Sequence, residues 1–210
     1  MPKQIVTTVY SFDELSDDAK EKAREWYRNG ALDYEWWDAV YDDAKHNLKL
    51  IGFKVEKIYF SGFSSQGDGA CFTGRWDAGL CDAKALASEV PADRGEFNRE
   101  LNRIAKALQE IASVAPSATA RIAHRGHYYH SLCTEIDFYA EIDDGDDDEA
   151  SEEIDTDKLE EDFKEEARSA MDWIYRNLER EYEWLLSDEQ VDESIKANEY
   201  TFDEDGNRDG

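Results

Sequence analysis

Phe53-Lys54-Val55-Glu56-Lys57-Ile58-Tyr59-Phe60, then Ser61-Gly62-Phe63-Ser64-Ser65-Gln66-Gly67-Asp68-Gly69, then Ala70-Cys71-Phe72-Thr73, is the stretch whose reading decides the fold. Phe53, Val55, Lys57 and Tyr59 alternate with Lys54, Glu56, Ile58 and Phe60, the period of a strand with one well-buried face. A glycine-rich connection leading into a second short apolar run makes a β-hairpin the economical reading. On either side of the hairpin the apolar period lengthens to that of helices.

Upstream, Ile5, Val6, Val9 and Tyr10 form a short extended start. Ser16 then offers an N-cap hydroxyl, with Asp17 and Asp18 at the positive end of a helix. That helix is predicted from Asp17 to Arg28, stopped at Asn29-Gly30 by a left-handed glycine cap. A second helix is predicted from about Asp33 or Tyr34 to Gly52, with Trp37, Val40, Tyr41, Ala44 and Leu48 on one stripe, making a helical hairpin. Downstream, a less regular stretch to Pro91 precedes a middle helix striped by Phe97, Leu101, Ile104, Leu108 and Ile111 and closed by Pro116. Ala118 to His124 and Tyr129 to Ile142 read as a second hairpin turning at Arg125-Gly126-His127. Asp143 to Glu149 reads as a solvated acidic loop.

A long helix is predicted from Asp157 to Leu186, with Leu159, Phe163, Ala167, Ala170, Ile174, Leu178, Tyr182 and Leu185 on one face. Ala197 to Phe202 forms a last strand before a polar tail. Two hairpins and edge strands without regular alternation of strand and helix imply an α+β fold with a mainly antiparallel sheet. The helical hairpin, the middle helix and the long acidic C-terminal helix pack with that sheet. The expected organisation is one domain: 1–142 the α+β core, 143–156 the acidic loop, and 157–210 the long acidic helix with the terminal strand.

The 210 residues carry 51 acidic and 24 basic side chains, a formal charge of −27. A net charge of magnitude roughly 2–8 suffices for solubility of a small domain. Such a field repels nucleic acid and anionic membrane and attracts basic surfaces. The excess is local: residues 141–193 hold 24 acidic and 5 basic side chains. Six tryptophans argue for a packed core. No apolar run is long enough for a membrane span and the start lacks a secretory signal core, so a cytoplasmic protein is expected. Cys71, Cys81 and Cys133 are odd in number and unclustered, which fits reduced thiols.

Three constellations bear on function. Glu160, Glu161, Asp162, Glu165 and Glu166 crowd the start of the long helix, and Glu179, Glu181, Glu183, Asp188 and Glu189 its end, where the helix dipole opposes them. Such a row either binds the lysines and arginines of a basic partner, imitating nucleic-acid phosphates, or is simply a solvated face. His124, His127, His130 and Cys133 recur every third residue and invite zinc, although alternation along strands does not converge them; packing across the hairpin is the other reading. Ser64, Gln66 and Asp68 of the glycine-rich loop are either a site or a hairpin turn with Asp68 capping backbone amides. The loop is neither a nucleophile elbow nor a phosphate loop. Asp203 to Asp209 is no calcium loop, because Arg208 stands where that pattern needs glycine. No catalytic residue and no cofactor motif is assigned.

The blocks Ile58 to Ala70, His124-Arg125-Gly126-His127-Tyr128-Tyr129-His130 and Ala197 to Phe202 resemble a family of uncharacterised proteins encoded by bacteriophages and prophages, some labelled as antitoxins of toxin–antitoxin systems. The resemblance implies a phage context and no catalytic residues. Together with the acidity it leads to the expectation of an inhibitor of a nucleic-acid-binding bacterial defence factor, such as a CRISPR effector or restriction system. The alternatives are an antitoxin neutralising a basic toxin, and a metal-dependent hydrolytic enzyme built from the two hairpin loops.

Overall fold

A computed structural model describes residues 6–141 and 155–208. Its elements are β1 (Tyr10–Ser11), α1 (Asp17–Arg28), α2 (Asp38–Leu50), β2 (Ile51–Phe60), β3 (Ala70–Cys81), α3 (Ala83–Glu89), α4 (Glu96–Val114), β4 (Thr119–His124), β5 (Thr134–Tyr139), α5 (Thr156–Leu185), α6 (Asp188–Ala197) and β6 (Thr201–Phe202). The fold is α+β, with every strand pairing antiparallel. No helix among the described residues is long and apolar enough to cross a membrane. The predicted acidic loop, Asp143 to Glu149, lies outside the described residues. The chain divides into two compact units, Met1–Trp37 with Arg180–Gly210, and Asp38–Glu179.

The larger unit is built on the sheet β2-β3-β4-β5. Phe53, Trp76, Ala120 and Phe138 are in register and point to the core, where α4 packs against β3 and α2 against β2. Phe163 of α5 meets Trp76 at 4.7 Å and Phe138 at 5.1 Å between ring centroids. One residue along, Lys54, Arg75 and Arg121 line up across the opposite, exposed face, with Asp137 3.5 Å from Arg121.

The alternation read in β2 holds with one interruption. The ladder shifts between Val55 and Lys57, leaving Glu56 as the extra residue of a β-bulge. Glu56 and Lys57 therefore both face outward, and the buried set passes from Phe53 to Ile58. Gly74 sits opposite, with φ +157°, and a Cβ there would lie 2.2 Å from the Lys54 carbonyl oxygen. A second irregularity separates Ile51 from Phe53, where Gly52 takes φ +90° and Trp76 Nε1 donates to the Ile51 carbonyl at 2.9 Å. This early strand start is why the second helix ends at Leu50 rather than near Gly52. Its start is late for another reason: Trp36 is buried, 5.9 Å from the Tyr182 ring, in the smaller unit.

Two further expectations are corrected. The first strand pair is longer than read, because β3 continues through Gly74 and Gly79 to Cys81, burying Phe72, Trp76 and Ala78. In the second hairpin β5 begins at Thr134, because His130 to Cys133 form a short 3-10 turn in which the His130 ring accepts from the Leu132 amide.

The smaller unit is a sandwich of α1 and α6 closed by the β1-β6 pair, with Phe12, Leu15, Ala19, Ala23, Val191, Ile195 and Phe202 as its core. Ser16 caps α1 as predicted, accepting from the Ala19 amide. Asn29 exits it with right-handed angles and Gly30 is not left-handed, so the predicted glycine cap is not formed. Gly206 is the glycine this unit needs: its φ is +83° and a Cβ would meet the Ala19 carbonyl at 2.1 Å. The Asp203 turn that presents it is closed by amides of Asp205 and Asn207 donating to Oδ1 of Asp203.

The helix α6 is absent from the sequence reading, and it changes the meaning of two acids. Ser187 accepts from the Gln190 amide and caps a new helix whose first turn is Asp188-Glu189. These carboxylates sit at a favourable helix N-terminus, not at the unfavourable end of the long helix.

Candidate functional site

The inner stripe of α5, from Leu159 and Phe163 through Ala167, Ala170, Ile174 and Leu178, is buried as its spacing predicts. That burial sets the rotation of the helix, and at 3.6 residues per turn the acids opposite the stripe face outward. Asp157, Glu161 and Glu165 recur every fourth residue and Asp172 follows, all exposed and all lining an open cleft of about 810 Å³ beside His130 to Leu132. None of these four forms an ion pair with a described residue. Lys164, in the same cleft, is held by Glu160 one turn earlier, and the Nε of Arg168 finds no hydrogen-bond partner among the described residues. The sequence signal for this row is the four-residue spacing of Asp157, Glu161 and Glu165, which the denser run Glu160 to Glu166 obscures.

Glu166 departs from the predicted surface role. It is 9 % exposed, and its Oε1 accepts from Arg103 Nη1 of α4 at 2.7 Å. Oε2 has no hydrogen-bond partner among the described residues. The bond to Glu166, with a second to Glu100, raises the pKa of the Arg103 guanidinium. Beside Glu166 a groove of about 270 Å³ runs between α4 and α5. Asp162 and Glu165 are exposed on its rim.

The second predicted cluster is divided between the two units. Glu179 is half-buried in the larger unit, whereas Glu181, Glu183, Asp188 and Glu189 belong to the smaller. Asp188 accepts from Arg28, and Asp192 takes a two-pronged bond from Arg24 at 2.7 and 2.8 Å. The Arg24 pKa is raised by that bond. These pairs tie α6 to α1, so Asp188 acts within the fold. Glu183 and Glu189 are exposed.

The glycine-rich loop and the histidine hairpin do come side by side. A Cβ on Gly67 would lie 3.1 Å from the Tyr128 ring, and one on Gly69 3.0 Å from the His130 Cα. Tyr59 stacks on both His124 and Tyr129, and Lys57 lies over its ring. On the far side Phe63 stacks on Tyr175, whose hydroxyl donates to the Gly62 carbonyl at 3.1 Å. The polar groups serve the loops themselves. Asp68 Oδ2 accepts the amides of Ser65 and Ser64 at 2.7 and 2.9 Å, which lowers its pKa. Ser64 and Gln66 are exposed in the same turn. His124 Nε2 bonds the Tyr128 carbonyl, while His130 holds the Leu132 amide. No group of three or more His, Cys, Asp or Glu side chains among the described residues is placed to hold a metal ion. All three cysteines are free, and burial pushes the Cys71 thiol up to about 12, so it is protonated and unreactive at neutral pH.

Comparison with known proteins returned no match among curated proteins and none among solved structures. A family model described as a domain of unknown function, DUF8835, matches residues 36–188, which include the four-stranded sheet, α4 and the acidic helix. The chain belongs to the DUF8835 family.

Proposed function

We propose that the protein is a phage-encoded acidic binding protein that occupies a basic, nucleic-acid-binding surface of a bacterial partner in the host cytoplasm, with a defence factor as the leading kind of partner. The observation that supports the reading is the row Asp157, Glu161, Glu165 and Asp172, exposed and without ion pairs to described residues on a helix whose inner face is locked. From Asp157 through Glu161 to Glu165, four-residue spacing places one carboxylate per about 6 Å of helix axis, and Asp172 follows about 10 Å further on. A nucleic-acid strand carries one phosphate per about 3.4 Å. Asp157, Glu161 and Glu165 therefore stand in for roughly every second phosphate of one strand, enough to engage lysines and arginines spaced for a backbone.

The test is co-purification from the bacterial host with mass spectrometry, followed by binding of the recovered partner to the triple variant Asp157→Lys, Glu161→Lys, Asp172→Lys, which leaves the α4–α5 groove unchanged. Binding should weaken at least tenfold in the variant. For the wild type it should also weaken at least tenfold between about 50 and 200 mM salt. Unchanged affinity in the triple variant defeats the proposal.

A further inference from the structure

We infer that the groove between α4 and α5 is a socket for a single lysine side chain of the partner, an inference that rests on the binding function proposed above. The groove has two kinds of wall. Ala107, Ile111 and Val114 of α4 and Leu159 of α5 supply its aliphatic half. Glu110, Asp162, Glu165 and Glu166 supply carboxylates from both helices. Glu166 is nine-tenths buried and keeps one oxygen without a partner among the described residues, the other being taken by Arg103.

A buried carboxylate oxygen without a donor is costly, and a ligand that donates to it recovers that cost. The ligand must bring a cation, because four carboxylates against the one guanidinium of Arg103 leave the groove negative. It must also bring an apolar stem, because an ion without one would leave the walls of Ala107, Ile111, Val114 and Leu159 wet. Lysine has that composition: an aliphatic stem that lies along apolar surface and a compact ammonium with three donors. At about 270 Å³ the groove is smaller than the usual 300–1,000 Å³ of small-molecule pockets, which suits one side chain. Val114, half exposed, is the most exposed of the groove's apolar lining residues.

The discriminating experiment uses the full-length protein and two peptides of equal charge: hexalysine, and a hexamer of 2,4-diaminobutyrate whose stems are two methylenes shorter. Calorimetric titration at low salt should show hexalysine bound about tenfold more tightly, the worth of burying two further methylenes. Val114→Phe fills the groove without changing charge and should abolish that preference while leaving diaminobutyrate binding unchanged. Glu166→Gln, checked for a cooperative thermal transition, should reduce the hexalysine advantage as well. Equal binding of both peptides by the wild type, or a preference that survives Val114→Phe, overturns the socket and leaves the general electrostatic reading standing. Failure of both peptides to bind overturns both readings.

Discussion

At the scale of single residues, the charges of this protein divide into those that hold the fold and those that face outward. Arg103 belongs to the first group, since its removal leaves the Glu166 carboxylate buried without a cation. Because the Arg103 side chain is itself 47 % exposed, Arg103→Ala should cost about 2 kcal/mol in urea denaturation, less than for a fully buried pair. Gly74→Ala should cost on the order of 3 kcal/mol, because its Cβ has no room beside the Lys54 carbonyl. Asp68 supplies a pH dependence. Its carboxylate is held below the usual range by the Ser65 and Ser64 amides. A depressed folded pKa stabilises the loop above the unfolded value, and the effect is lost as pH falls through the folded pKa, below about pH 4. Carbon-detected NMR should show Asp68 titrating at lower pH than an unstructured aspartate, and amide exchange at Ser64 and Ser65 should speed up in Asp68→Asn. That Asp68 caps a turn was readable from the sequence, because the partners lie three and four residues away. That Glu166 is paired was not, since Arg103 lies 63 residues earlier.

At the scale of elements, local signals carried what is local. The stripes of α4 and α5, the Ser16 cap and both hairpins follow from periodicity and capping chemistry. The bulge in β2 does not, because an extra residue in a ladder is defined by its partner strand. Removing Glu56 should leave Phe53, Val55 and Ile58 on one face in simple alternation, so the deletion variant is expected to unfold cooperatively; Ile58→Asp, which buries a charge, is not. Circular dichroism melts of the two variants make the comparison. The helix α6, by contrast, has a local signal that the sequence reading passes over: that reading places Asp188 and Glu189 at the end of a helix stopping at Leu186, whereas Ser187 caps a new one. Ser187→Ala should accordingly destabilise by about 1 kcal/mol.

For the whole molecule, a formal charge of −27 acts in two directions that salt separates. Self-repulsion opposes the compact state, so adding about 0.5 M NaCl should raise the thermal midpoint, whereas the same salt should weaken binding to a basic partner. A midpoint that falls with salt would show that the internal pairs of Arg24, Arg28 and Arg103 outweigh the repulsion. The sequence by itself determined the fold class, the placement of the acidic excess between residues 141 and 193, and the faces of its long helix, because hydrophobic period and charge are properties of neighbours in the chain. Only the tertiary structure decided which acids are available. Packing of α4 against the sheet brings Arg103 to Glu166, and α1 brings Arg24 and Arg28 to Asp192 and Asp188. Ion pairing across long sequence separations depends on where the core places each helix, and that no spacing in the chain records.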